Sequence, residues 1–182
     1  MKLLYLFLPS MFFVNSLAHA DQTDERLNGL FLTLSMSSDL PTIRATESQI
    51  WEIWFKHPNQ DVEELMRIGM ARMSYNRYAD AMLIFTQLVD NFPDYAEGWN
   101  RRATLHYVLG NFKESVADIE QVLALEPRHF GALSGLGLVY LQQDQLSKAK
   151  SAFESLIDVH PESPNAKRNL EKINRDLTLS VI

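Results

Sequence analysis

The residues of this chain whose types could do acid–base or metal chemistry are histidines and paired acidic residues. Four of the five histidines are scattered over the sequence after residue 56: His57, His106, His129 and His160. The chain has no cysteine and no H-E-x-x-H motif, so these histidines lack the spacing and the co-ligands of a zinc site. His106 recurs at the position of Tyr140 and is better explained by helix packing. The sequence predicts no metal ligand.

Two acidic pairs lie one helical turn apart, Glu114 with Asp118 and Glu154 with Asp158. Paired carboxylates can do acid–base work, but lysines adjoin both pairs, which is typical of a solvated helix face. The run from Gly135 to Gly137 lacks the third glycine and the preceding strand of a nucleotide-binding turn. No serine has a G-x-S-x-G setting. We therefore expect no catalytic residue and no cofactor, and the chain is not predicted to be an enzyme.

The composition narrows the class of protein further. The chain has 182 residues, of which 46% are apolar, and 17 Lys and Arg residues oppose 23 Asp and Glu residues. This apolar fraction is enough for a packed core, which argues against a disordered chain. The formal charge of −6 argues against nucleic acid as a partner, because affinity for a phosphate backbone needs clustered cations.

The first twenty residues have the three parts of a secretory signal peptide. Met1 and Lys2 are followed by an apolar run over residues 3–14 and by Ala18-His19-Ala20. The run is shorter than the roughly 20 residues of a spanning helix, which disfavours the alternative, an uncleaved anchor. We expect cleavage after Ala20 and no membrane-spanning segment in the mature chain. The protein would then be exported, to the periplasm in a Gram-negative bacterium.

A period of 34 residues organises the rest of the chain. Pro93, Pro127 and Pro161 are spaced by this interval, which defines units at 62–95, 96–129 and 130–163. Each unit has two stretches of helical periodicity separated by a break, and the proline ends the second. A column here means a set of positions that recur with this period. Small residues fill two columns (Gly69, Ala103, Gly137; Ala81, Ser115, Ala149), and large apolar residues fill others, such as Phe85, Ile119 and Phe153.

These units resemble the tetratricopeptide repeat, a 34-residue helix–turn–helix motif. The third unit carries the pattern best, with Leu133, Gly137, Tyr140, Ala149, Phe153 and Pro161. The second departs from it at Arg102, where an apolar residue is usual, and at Ser115, where alanine is usual. The resemblance implies an all-α fold, a right-handed superhelical solenoid of stacked helix–turn–helix repeats.

Two flanking segments complete the chain. Residues 164–178 form an amphipathic pattern that predicts a C-terminal capping helix. Residues 21–61 contain two helical patterns, which we interpret as a two-helix segment and as a degenerate extra repeat over 24–57. Counting back one period places Trp51 and Trp54 in core columns, so we expect them to pack in the core rather than form a ligand-binding aromatic box.

The resemblance also implies a function, since first helices in this family line a concave groove for a peptide or a partner helix. Its groove positions correspond to Met66, Met70, Met73, Asn100, Arg101, Thr104, Tyr107, Ser134 and Leu138. Met66 and Met70 replace the Lys and Asn that clamp a C-terminal carboxylate in some members, so no such clamp is expected. The methionines could instead pack against neighbouring helices. We expect an exported protein–protein interaction module, adaptor or scaffold. The alternative is a self-associating structural component of an envelope complex, which would make the protein a homo-oligomer.

Overall fold

The computed structural model describes residues 21–179, and the proposed signal peptide at 1–20 lies outside them. Within the described residues the chain forms a short 3-10 helix at Asp21–Thr23, nine α-helices and no strand. This confirms the predicted all-α solenoid. The helices are α1 (Arg26–Met36), α2 (Leu40–Phe55), α3 (Gln60–Ser74), α4 (Tyr78–Asn91), α5 (Ala96–Val108), α6 (Phe112–Leu125), α7 (Phe130–Gln142), α8 (Leu146–Val159) and α9 (Pro164–Leu179).

The turn inside each of three successive helix pairs has the same backbone conformation. Asn76, Gly110 and Asp144 all have positive φ, at 58°, 78° and 56°, and they are spaced by 34 residues. Gly, Asn and Asp are the residue types that enter the left-handed region most easily. The next backbone N–H closes each turn by donating to a carbonyl five residues back, as from Asn111 to His106 at 2.9 Å. The sequence period is therefore repeated in the backbone.

The glycines of the small-residue column allow the two helices of a pair to approach closely. A Cβ on Gly137 would stand 2.6 Å from the Phe153 ring, and one on Gly69 would stand 2.5 Å from the Phe85 ring. Both distances are far shorter than carbon–carbon contact. The large aromatic column of one helix therefore packs directly on the backbone of the other.

The departures from the repeat pattern in the second unit are explained by polar contacts. Arg102 on α5 makes two hydrogen bonds of 2.8 Å to Asp118 on α6. The Ser115 hydroxyl donates to the Ala103 carbonyl at 2.9 Å. The prediction that Asp118 lies on a solvated face is wrong, because its carboxylate is buried against the Arg102 guanidinium. These contacts join the two helices where other units use apolar packing.

Helices α1 and α2 form an antiparallel pair, the N-terminal hairpin (residues 26–55). Its apolar side belongs to one cluster with residues of α7, α8 and α9. Trp54, which is 2% exposed, lies against Phe130 with ring centroids 5.0 Å apart. Phe31 of α1 contacts both of these rings. The expected core position of Trp54 is therefore confirmed, while Trp51 is half-buried.

Polar contacts tie the hairpin to the three loops that connect one helix pair to the next. The Tyr95 hydroxyl donates to the Phe55 carbonyl at 3.2 Å, and Arg128 donates to the Asn28 side chain at 2.9 Å. His160 lies 2.6 Å from a carboxylate oxygen of Glu47. The hairpin therefore runs along the edge of the solenoid that these loops form.

This packing differs from that of an extra stacked repeat. A preceding repeat would lay α2 along α3, in the way that α4 lies along α5. Instead, α2 contacts α1 and α5, and its aromatic side chains meet α7. The interpretation of residues 24–57 as a degenerate repeat therefore does not describe how the segment packs. Helical periodicity identified the apolar stripe of each helix, but it carries no information about which surface the stripe covers.

The C-terminal helix α9 packs along α8 through buried Ala166 and Ile173. Its two lysines and two arginines are all exposed. Among the helices in residues 21–179, none is both long and apolar enough to cross a bilayer.

Candidate functional site

A groove of about 350 Å³ lies between α5 and α7 and is floored by α6. We call it the α5–α7 groove. Successive turns of α5 and α7 form its two walls, because residues three or four apart share a helix face. Two side chains of α6 close its base. The groove is lined by Asn100, Ala103, Thr104, Tyr107, Val108, Ser115, Ile119, Gly131, Ala132, Ser134, Gly135 and Leu138.

Two glycines open the α7 wall of the groove. A Cβ on Gly135 would stand 3.6 Å from Ile119 Cδ1, which is ordinary contact, so a larger side chain there would extend into the groove. A Cβ on Gly131 would stand 2.6 Å from the Trp51 ring. The N-terminal hairpin therefore borders the groove at the end where α7 begins.

Four of the polar side chains that line the groove have partners inside the protein. Asn100 donates to the Glu97 carboxylate at 2.9 Å, and the Thr104 hydroxyl donates to the Asn100 carbonyl at 2.8 Å. The Ser134 hydroxyl accepts from the Asn165 side chain at 2.6 Å. With the bond of Ser115 described above, four polar lining side chains are satisfied by the fold itself.

A buried carboxylate lies beside the groove. Glu97 is fully buried on the first turn of α5 and is 2.6 Å from the Arg101 guanidinium. Nδ1 of His129 accepts from the Ala132 backbone N–H at 3.1 Å, which caps α7. We therefore assign the ring proton to Nε2, which donates to Glu97 at 3.2 Å. One face of the His129 ring stacks on Trp54 with centroids 4.0 Å apart.

Burial by itself would raise the pKa of Glu97, because the buried carboxylate loses its hydration. The contacts with Arg101, His129 and Asn100 outweigh this effect and hold the pKa of Glu97 below its ordinary value of 4.5. Glu97 is therefore an anion at neutral pH, and its charge is compensated by a cation and two hydrogen-bond donors.

This lowered pKa predicts a loss of stability in acid. A carboxylate whose pKa is depressed by folding stabilises the native state above the unfolded-state pKa, and this contribution is lost as pH falls through the folded-state value. The free energy of unfolding of the wild type should therefore fall below pH 4.5 more steeply than that of Glu97→Gln. Urea unfolding across this pH range measures both. Parallel profiles for the two proteins would contradict the assignment.

The structure brings together five of the nine residues predicted to contact a guest. Asn100, Thr104, Tyr107, Ser134 and Leu138 all line the α5–α7 groove. Asn100 is buried and engaged with Glu97, so the surface that it contributes is small. Arg101 is outside the groove lining, with its guanidinium 4.8 Å from the centre of the Phe55 ring.

The three methionines of α3 are separate from the groove. Met66 is 3% exposed and lies in an apolar cluster with Phe85 and Tyr95. Met73 packs against the same cluster and Met70 is exposed. Met66 is therefore a core residue. This agrees with the alternative that the methionines pack against neighbouring helices.

Several lining residues were absent from the predicted set. Val108 could have been found because it follows Thr104 by four residues on the same helix face. The floor residues Ser115 and Ile119 lie on α6, so an assignment restricted to first helices omits them. Within the described residues, no three His, Cys, Asp or Glu side chains are placed to share a metal ion.

Comparison with known proteins places this arrangement in a family. The sequence profile of the tetratricopeptide repeat matches residues 66–118 and 100–166. The chain belongs to the tetratricopeptide-repeat family. A TPR repeat-containing protein of Rhizobium etli is 32% identical over 153 residues, which cover 84% of this chain and 75% of that relative. The profile match begins after the N-terminal hairpin, whereas the alignment with this relative is long enough to include part of it.

Solved tetratricopeptide-repeat domains have the same fold. The Sgt2 TPR domain from Aspergillus fumigatus superposes with a TM-score of 0.63 at 26% identity, covering 68% of this chain and 83% of that domain. The first TPR domain of Spaghetti (RPAP3), bound to the HSP90 peptide SRMEEVD, has a TM-score of 0.63 at 24% identity. That match covers 65% of this chain and 94% of the Spaghetti domain.

Proposed function

We propose that this tetratricopeptide-repeat chain is a non-enzymatic module that holds a peptide or a helix of a partner protein in the α5–α7 groove. The observation that supports this proposal is the groove itself, where five predicted contact residues from two first helices meet. Its volume is within the range of about 300–1,000 Å³ typical of ligand pockets. The peptide bound by the Spaghetti TPR domain is consistent with this use of the fold.

The groove is suited to binding because rigid elements build it. Its walls are successive turns of two helices, and four of its polar side chains are held by internal hydrogen bonds. A guest would therefore meet a preformed surface, which lowers the entropic cost of binding. Asn100 and Arg101 are poor targets for testing this, since both hold Glu97 and their replacement would disturb folding.

Gly135→Leu tests the proposal because it fills the groove with one side chain. The Cβ has ordinary contact distance to Ile119, and leucine is a better helix former than glycine, so we expect the fold to be retained. Crosslinked partners recovered by the wild type from the native compartment should be lost by Gly135→Leu. Quantitative mass spectrometry of the two captures measures this.

The same substitution at Gly29 is the matched control. Gly29 lies on α1 with no atom within 4 Å of its Cβ position, and it is outside the α5–α7 groove. Gly29→Leu should capture the same partners as the wild type. Identical capture by Gly135→Leu would show that the guest binds another surface.

We further propose that the protein is exported and that its signal peptide is cleaved after Ala20, which would place it in the periplasm of a Gram-negative bacterium. The support is the sequence pattern of residues 1–20. N-terminal sequencing of the purified mature protein should begin at Asp21. A chain that still begins at Met1 would contradict cleavage.

A further inference from the structure

The side chains that line the α5–α7 groove restrict the chemical class of guest that it can bind. This inference rests on the function proposed above. None of its twelve lining residues is Asp, Glu, Lys, Arg or His. The aliphatic and aromatic members include Tyr107, Val108, Ile119 and Leu138. Binding an apolar group to such a surface is favourable, because it removes apolar area of both partners from water.

Four polar side chains of the lining already have hydrogen-bond partners inside the protein. Thr104 and Ser115 donate to backbone carbonyls, Asn100 donates to Glu97, and the hydroxyl of Ser134 accepts from Asn165. Since these bonds are already made inside the protein, an apolar segment can cover the groove without leaving the donors of Asn100, Thr104 and Ser115 unpaired.

Arg101 and Arg102, which follow the lining residue Asn100 on α5, are already paired with carboxylates. Arg101 pairs with Glu97, and its guanidinium also lies over the Phe55 ring. Arg102 pairs with Asp118 through two hydrogen bonds. An acidic side chain or a C-terminal carboxylate in the groove would lose hydration without meeting a cation in the lining, and the anionic Glu97 contacts the lining residue Asn100.

From these contacts we infer that the α5–α7 groove binds an uncharged, apolar segment of a partner protein and discriminates against acidic segments. The open backbone at Gly135 admits close approach of the guest along α7. The specificity therefore differs in kind from recognition of an acidic peptide such as the SRMEEVD bound by the Spaghetti TPR domain.

The test compares two short synthetic peptides by fluorescence anisotropy. The apolar peptide is acetylated and amidated and alternates leucine and alanine with serine, and its acidic twin has glutamate in place of each leucine. The apolar peptide should bind the wild type at least roughly tenfold more tightly than the acidic twin, because the twin buries carboxylates without a partner. SRMEEVD should bind as weakly as the twin.

The Val108→Lys variant distinguishes binding in the groove from nonspecific hydrophobic binding. Val108 lines the groove and is 46% exposed, so a lysine there adds a cation at the rim without entering the core. The affinity for the acidic twin should rise several-fold and that for the apolar peptide should fall. The matched control is Leu83→Lys on α4, at a position that is 72% exposed and outside the groove, and it should leave both affinities unchanged.

The outcomes separate this inference from the proposed function. Equal or tighter wild-type binding of the acidic twin, lost in Gly135→Leu, would overturn the apolar specificity and leave the groove as the binding site. If neither peptide binds, or if binding survives in Gly135→Leu, both the apolar specificity and the groove as the binding site would be overturned.

Discussion

Replacement of Trp54 by alanine is expected to lower the free energy of unfolding by about 3–5 kcal/mol. The side chain is 2% exposed and is surrounded by the rings of Phe31, His129 and Phe130. Its removal leaves a cavity between the N-terminal hairpin and α7. The three neighbouring rings are held in place by the packing of their own helices, so they cannot move to fill this cavity. It also removes the stacking partner of His129, which caps α7 and donates to Glu97.

Urea unfolding followed by circular dichroism measures this loss, and Leu32→Ala is its control. Leu32 lies on the same hairpin, but it is 61% exposed, so its truncation should change the free energy of unfolding by less than about 0.5 kcal/mol. A cost for Trp54→Ala as small as that of Leu32→Ala would mean that the hairpin does not pack on the solenoid edge.

Alanine substitutions at Gly135 and Gly137 are expected to change stability in opposite directions. Both residues lie inside α7, where replacing glycine by alanine favours the helix by about 0.5–1 kcal/mol. Gly135→Ala should show this gain, since its Cβ meets only Ile119 at 3.6 Å. Gly137→Ala places a Cβ 2.6 Å from the Phe153 ring, and the forced separation of α7 and α8 should cost about 1–3 kcal/mol.

The midpoints of thermal unfolding of the two variants measure this contrast, and each serves as the control for the other. The residue change and the helix are the same, so the difference reports only the space at each Cβ. A rise in both midpoints would show that the Phe153 ring moves aside without cost, and a fall in both would contradict the expected gain at Gly135.

The 34-residue period predicted the parts of the fold that depend on local pattern. Gly69 and Gly137 fall in a small-residue column of this period, and the rings of Phe85 and Phe153 lie directly on them. Five groove residues were found because a fixed position on each first helix determines which face it occupies. Met66 occupies such a position but is buried by Phe85 and its neighbours, which the helix pattern alone does not show.

The placement of the N-terminal hairpin was beyond sequence reasoning. Its stripe of apolar residues showed that one side is buried. The simplest expectation was that this side packs on α3, as a preceding repeat would. The contacts that decide otherwise join residues far apart in the chain, such as Glu47 with His160 and Trp54 with His129. The burial of Asp118 was missed because its partner Arg102 is on the other helix of the pair, and the pattern of one helix does not show its contacts with another.

Photo-crosslinking shows whether a guest occupies the α5–α7 groove. The apolar peptide, carrying a photoreactive leucine analogue, is irradiated with the wild-type protein, and the attachment sites are mapped by mass spectrometry. We predict attachment at the lining residues of α5 and α7, notably Tyr107, Val108 and Leu138, and its loss in Gly135→Leu. Attachment mainly at exposed apolar residues elsewhere, such as Leu32, Met36 or Leu83, would contradict occupancy of the groove.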